Sequence, residues 1–198
     1  KLLFILLLLT VVQVSILRVV DPPITAFIAW NWIQSKFTSR PFIRPINDWR
    51  KLGDISPWLI KAVLAGEDQR FLAHHGFDFI EMNQAVRDLL TERRIRGAST
   101  ITMQVAKNFF LSREKTFTRK FNEILLALQI EQELTKPEIL ELYFNKIYLG
   151  NRAYGIDAAA QVYYGKNISE LSLAQSAMVA GLPKAPSSYN PIANPARA

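Results

Sequence analysis

One acidic side chain stands out by its position. Glu67 follows Ile60, Val63 and Leu64 by seven, four and three residues and precedes Phe71 by four. On a helix these offsets share one face, so the carboxylate projects from an apolar stripe. A carboxylate held there is either paired or desolvated, the usual condition of a general base or acid. The plainer account puts Glu67 at the rim of the fold in a structural ion pair. Asp68, next to it, points elsewhere and can hold the adjoining loop or accept from Arg70.

A second feature is the placement of charge. From Arg87 to Lys120 nine bases face three acids, a surplus of six out of a net +7 for the whole chain. The same stretch holds Ser99, Thr100, Thr102, Gln104, Lys107 and Asn108. Hydroxyls, amides and cations around a helix start make a seat for sugar and phosphate oxygens. A solvated basic face is the competing reading. Glu123 lies four residues after Arg119 and three after Lys120, so the three share a helix face. This is either an ion pair worth about 0.3–0.5 kcal/mol or a second carboxylate facing a phosphate site lined by those cations. Ser112-Arg113-Glu114-Lys115 fits S-x-x-K, but no K-T-G follows, and the match is coincidental. His75, before Gly76, reads as a turn histidine donating to a helix end.

The elements that position these groups read as helix after helix. Ser56-Pro57 opens one that carries Leu59, Ile60, Val63 and Leu64 and closes at Gly76. Asp78 and Glu81 have capping-box spacing before a helix running through Leu90. Ser99 caps a helix from Thr100 to Phe110, and Thr116 precedes a long one through Leu128. Thr135 and Glu138 form a second capping box before a helix that ends short of Gly150. A short Ala-rich helix spans Gly155 to Tyr164, and another, capped by Ser172 and Gln175, ends near Gly181. The tail from Pro183 reads as extended. No stretch alternates at period two, so the fold class is mainly α.

The 198 residues contain no Cys and two adjacent His, which excludes a disulfide scaffold, a thiol nucleophile and Cys- or His-rich zinc sites. An apolar run from Leu2 to Val20 is broken only by Thr10, Gln13, Ser15 and Arg18, and Asp21-Pro22-Pro23 ends it. About 20 helical residues cross a bilayer core of roughly 30 Å, so residues 1–20 read as an N-terminal transmembrane anchor. Residues 21–47 read as a membrane-proximal, amphipathic linker, and residues 48–198 as the catalytic domain. All four Trp lie before residue 60, a crowding that suits lipid headgroups, with core packing the alternative for Trp49 and Trp58.

Together these residues resemble the peptidoglycan glycosyltransferases of glycosyltransferase family 51. That group includes the monofunctional enzymes and the amino-terminal domain of class A penicillin-binding proteins. The matching strings are Glu67-Asp68-Gln69-Arg70-Phe71 with His75-Gly76; Gly97-Ala98-Ser99-Thr100-Ile101-Thr102 with Gln104, Lys107 and Asn108; Arg119-Lys120 with Glu123; and Ile139 to Gly150. The resemblance runs from about residue 48 to 195. Met103 stands where many relatives carry a first Gln, and Ala98 where most carry Gly. Residues 21–27 and 48–59 look like monofunctional enzymes, whereas residues 145–155 and 181–191 look like the bifunctional class. The chain ends at Ala198, before a further helix that the resemblance leads one to expect.

The resemblance implies a lysozyme-like helical fold and polymerisation of lipid II into β-1,4-linked glycan strands, with inversion and release of undecaprenyl diphosphate. Glu67 would be the general base, and Glu123 would position the diphosphate or a divalent cation. Lys107, Lys115, Arg119 and Lys120 would neutralise the diphosphate. Asp68, Phe71, Ser99, Thr100, Gln104 and Asn108 would contact substrate. No cofactor is obligatory, and Glu123 leaves room for Mg or Mn. Lipid II, the growing strand and membrane lipid are the implied partners, with room for cell-wall synthesis proteins and no nucleic acid. The implied location is the bacterial cytoplasmic membrane, with a single span and the catalytic domain on the periplasmic face. Moenomycin would inhibit. Two rivals remain: a lytic transglycosylase or lysozyme-like hydrolase, which needs no cations beside its acid, and a membrane-anchored basic binding module without catalysis.

Overall fold

A computed structural model describes residues 2–17, 26–38, 49–91, 97–112, 114 and 116–196. The chain divides into two compact units, Lys1–Pro45 and Ile46–Ala198. In the first, α1 is Leu2–Leu17 and α2 is Ala26–Phe37. Among the described residues no helix is long and apolar enough to cross a membrane. Of the anchor expected over residues 1–20, residues 1 and 18–20 lie outside the described residues. Trp30 and Trp32 are exposed on α2.

The second unit is helical throughout, its pairing among the described residues limited to one antiparallel bridge between Tyr148 and Tyr154. Its helices are α3 Pro57–Glu67, α4 Phe79–Thr91, α5 Ile101–Phe110, α6 Phe117–Glu133, α7 Lys136–Lys146, α8 Ile156–Tyr164 and α9 Leu173–Gly181. Helix α5 packs against α6 and α7, and α3 against α9. The buried core joins Leu59 and Val63 of α3, Val105 of α5, Ile139 and Tyr143 of α7 and the small Ala158–Ala160 face of α8. Alanines at consecutive positions let α8 approach its neighbours closely. Gly155, just before α8, holds φ +83 where a Cβ would meet the Asn145 carbonyl at 2.8 Å.

The start of this unit is fastened by polar contacts. The Trp49 indole Nε1 and the Leu52 N–H donate to the two carboxylate oxygens of Glu141 at 2.8 and 2.9 Å. The Arg50 peptide exchanges two hydrogen bonds with the Asn145 side chain, and its guanidinium reaches buried Asp157 at 2.8 Å. Trp49 and Trp58 therefore lie at the surface, both more than half exposed, and are not core aromatics.

Several local expectations are corrected. Helix α3 ends at Glu67, well before Gly76, and Phe71 lies in a separate 3-10 turn, Phe71–Ala73. Ser56 makes no side-chain cap; Pro57 at the first helical position starts α3. Thr100, not Ser99, caps α5 by accepting from the Met103 N–H. Thr116, Thr135 and Ser172 begin α6, α7 and α9, the last two with complete capping boxes. The Pro-rich tail is not extended: Leu182–Lys184 is a 3-10 helix followed by turns.

A candidate active-site cleft

The end of α3 and the start of α5 face each other across a cleft of about 470 Å³. The spacing within α3 explains how Glu67 comes to be there. Leu59 and Val63 are buried against the core, and Glu67, one turn beyond Val63, leaves the same stripe where the helix stops. Its carboxylate is half-buried and accepts from the Gln104 amide at 2.8 Å. Gln104 stands on the first turn of α5, so one hydrogen bond spans from α3 to α5.

Asp68 fixes the distance between these helices. It is buried; one oxygen accepts the Ile101 N–H at 2.9 Å, and both lie 3.0 Å from His74 Nε2. A carboxylate at the amide end of a helix satisfies an orphan donor and complements the helix dipole. Asp68 therefore borders the cleft as the anchor of α5. The histidine that does structural work is His74, which is buried, whereas His75 is exposed. Thr100 lines the cleft too, but its hydroxyl donates to the Gly76 carbonyl at 2.7 Å while capping α5.

Beyond Gln104 the wall becomes basic. Lys107 lines the cleft one turn along α5. Its pKa is pulled below the ordinary 10.5, first by loss of hydration. Glu123 opposes the shift, Lys120 and Arg119 add to it, and Glu67 opposes it, so this ammonium feels both carboxylates and both cations. Ser99, also in the lining, accepts from Lys120 Nζ at 2.8 Å. Lys120 in turn reaches Glu123 at 2.6 Å, and Arg119 Nη1 holds the other Glu123 oxygen at 2.5 Å. Glu123 is 2% exposed. Buried carboxylates survive only when paired, and here two cations share one acid. The cluster keeps a positive surplus beside the cleft.

Not every expected residue is brought to the cleft. Phe71 is 1% exposed inside the core, under the Lys136 ammonium at 4.3 Å, and cannot touch a ligand; its assignment to substrate is corrected. Asn108 is half-buried on α5 and does not line the cleft. Lys115 lies outside the described residues, as do Arg93, Arg94, Arg96 and Arg113. Met103 is fully buried, so residue 103 faces the interior. Glu123 does not suit a resident metal: both its oxygens are engaged by cations, and no cluster of three His, Asp or Glu exists among the described residues.

Sequence reasoning missed part of the lining. Asp78 and Glu81 border the cleft from the start of α4, where Asp78 accepts the Ile80 and Glu81 N–H groups and the Arg70 Nε. Those backbone bonds and the Arg70 charge hold the Asp78 carboxyl below the usual range, although burial opposes them. Pro183 and Lys184 line it as well. Nothing local to Lys184 marks it; the packing of α3 on α9 and on the turn after it carries this lysine to the cleft.

A family model described as Transglycosylase matches residues 39–198. The chain is 63% identical over 148 residues to penicillin-binding protein 1A of Pseudomonas aeruginosa, covering 74% of this chain and 18% of that protein. It is 59% identical over 152 residues to penicillin-binding protein 1A of Neisseria gonorrhoeae, covering 76% and 19%. The chain thus spans less than a fifth of the length of these curated relatives.

Proposed function

The chain belongs to the transglycosylase family, and on that premise we propose that it is a peptidoglycan glycosyltransferase that polymerises lipid II, with Glu67 as general base. The observation that carries the reading is the Glu67–Gln104 contact in a cleft that Lys107 lines from the next turn of α5, with the Arg119–Lys120–Glu123 cluster of α6 joined to its lining through Ser99.

Glu67 takes the proton of the acceptor sugar's 4-hydroxyl as that oxygen attacks the anomeric carbon of the growing strand. The bond from that carbon to the diphosphate oxygen breaks, its electron pair stays with the diphosphate, and the carbon is inverted to a β-1,4 linkage. Undecaprenyl diphosphate leaves as an anion and needs no protonation. Lys107, Lys120 and Arg119 stabilise the charge that develops there. Glu123 holds two of those cations in place and is a positioning residue; no divalent ion is assigned to it. Ser99 and Gln104 offer polar contacts to sugar or phosphate. We take the helical arrangement to be of the lysozyme-like kind, the Glu at a helix end facing a cleft. Because the substrate carries a lipid, we place the domain at the outer face of the cytoplasmic membrane. Exposed Phe110, Phe117 and Phe121 suit that surface.

Glu67→Gln keeps the shape and removes the base. The expected outcome is loss of strand synthesis by about 10²–10⁴-fold with an unchanged thermal midpoint, read by gel analysis of labelled lipid II products. Moenomycin should block the wild-type reaction. Near-wild-type synthesis by the variant would overturn Glu67 as base. Cleavage of purified sacculi without lipid II polymerisation would favour the hydrolase instead.

A further inference from the structure

We propose that Glu131 is a positioning residue for the general base, its buried carboxylate holding the first turn of α5 and the turn after Glu67 in register with each other; this rests on the reading of Glu67 given above. Glu131 stands near the end of α6, its side chain 4% exposed. One of its oxygens, Oε1, accepts from the Thr102 hydroxyl at 2.5 Å and from the Lys136 ammonium at 2.7 Å. Thr102 lies on α5 and is fully buried, and Lys136 opens α7. The same ammonium lies 4.3 Å from the centroid of the Phe71 ring. Helices α5, α6 and α7 and the turn that follows α3 are thus joined through one oxygen and one ammonium.

Neither local structure nor stability accounts for these groups. A lysine at the first position of a helix is opposed by the positive end of the helix dipole. A buried ion pair is costly to desolvate and adds little to stability compared with apolar side chains of the same size. What directional bonds supply is register. Apolar contacts let packed helices roll and slide, whereas a shared acceptor fixes where each one points.

Both tethers end beside the base. Thr102 and Gln104 are two residues apart on α5, so they point about 200° apart around the helix axis. Thr102 faces the interior and Gln104 the cleft, where its amide donates to Glu67 Oε2 at 2.8 Å. Fixing the one therefore aims the other. Phe71 sits in the turn that begins where α3 delivers Glu67. The Lys136 ammonium over its ring keeps that turn against the core. A misplacement of about 1 Å at a reacting group can cost about 10²-fold in rate, which gives the network a use in catalysis although it never touches substrate.

The test uses the full chain on lipid II, each variant assayed where circular dichroism shows it fully folded. Thr102→Val keeps the shape and removes the hydroxyl; Thr102→Ser keeps the hydroxyl and loses a buried methyl. In the valine variant kcat should fall about five- to tenfold with KM within about twofold, and the serine variant should recover most of it despite a lower melting temperature. Glu131→Met with Lys136→Met, which fills the same space without the ion pair, should melt at the same or a higher temperature and lose kcat by about tenfold. In a Gln104→Ala background Thr102→Val should cost less than about twofold more, because the amide it aims is gone. A valine variant within about twofold of wild type, losses that follow melting temperature, or an undiminished cost of Thr102→Val beside Gln104→Ala would each overturn the assignment. Failure of the folded wild-type chain to polymerise lipid II, or near-wild-type synthesis by Glu67→Gln, would instead sink the function reading, and this proposal with it.

Discussion

Lys107 shows what a cleft does to one charge. It remains open to solvent, yet poor hydration among the cleft walls, reinforced by Lys120 and Arg119, makes its proton easier to lose. The folded chain binds that proton less tightly than the unfolded chain does. Its charged form therefore opposes folding below the depressed value, and this opposition fades as pH rises toward 10.5. Catalysis has the opposite interest, since a neutral lysine cannot stabilise a departing diphosphate. Polymerisation should accordingly decline on the alkaline side below the pH of an ordinary lysine. Lys107→Arg should carry that decline to higher pH, because a guanidinium stays charged. Profiles of kcat/KM against pH for the two proteins check it, and superimposable alkaline limbs would argue against a role for this charge. The residue type and its place on the basic stretch were readable in the sequence. The depressed pKa was not, because it depends on which groups the fold sets around the ammonium.

At the scale of elements, the geometry of the site hangs on the start of α5. Asp68 joins that start to the end of α3 through the Ile101 N–H and to the following turn through His74. Asp68→Ala leaves a helix N–H and a buried imidazole without their acceptor and should lower the unfolding free energy by about 2–3 kcal/mol; Asp68→Asn, which keeps one acceptor, should cost about half as much. Urea titration at constant m-value measures both, and an unchanged midpoint for the alanine variant would contradict the anchoring role. Caps made of local contacts were legible: Thr135 with Glu138 and Ser172 with Gln175 appear where the spacing put them. The end of α3 was not, because Phe71 continues the apolar period of α3 while its backbone has already left the helix. Periodicity reports which side chains are buried, and a buried turn can satisfy it as well as another helical turn.

For the molecule as a whole, every buried apolar side chain among the described residues lies between Ile55 and Leu182. The unit from Ile46 onward holds its own core and fastens its own start through Trp49, Arg50 and Leu52. Removal of residues 1–45 should therefore leave one cooperative unfolding transition with a midpoint within about 10% of the full chain's, followed by circular dichroism in urea. A broadened or much earlier transition would show that the first unit contributes to the core. The apolar run before Asp21 is long enough for a span when counted as residues. The described part of that run is one helix of 16 residues, Leu2–Leu17.

Local chemistry was what the sequence alone made legible: the helices with the caps at Thr116, Thr135 and Ser172, one carboxylate on an oily stripe, and a basic surplus beside hydroxyls and amides. Spacings of three and four residues carry that information, since they repeat wherever a helix forms. The tertiary structure alone decided which of these groups meet. It put Phe71 and Met103 inside, turned Asp68 into a helix anchor, clamped Glu123 between two cations and brought Lys184 in from the far end of the chain. Those outcomes follow from how α3, α5, α6, α7 and α9 pack together, and contacts between residues remote in sequence leave no periodic trace within any one segment.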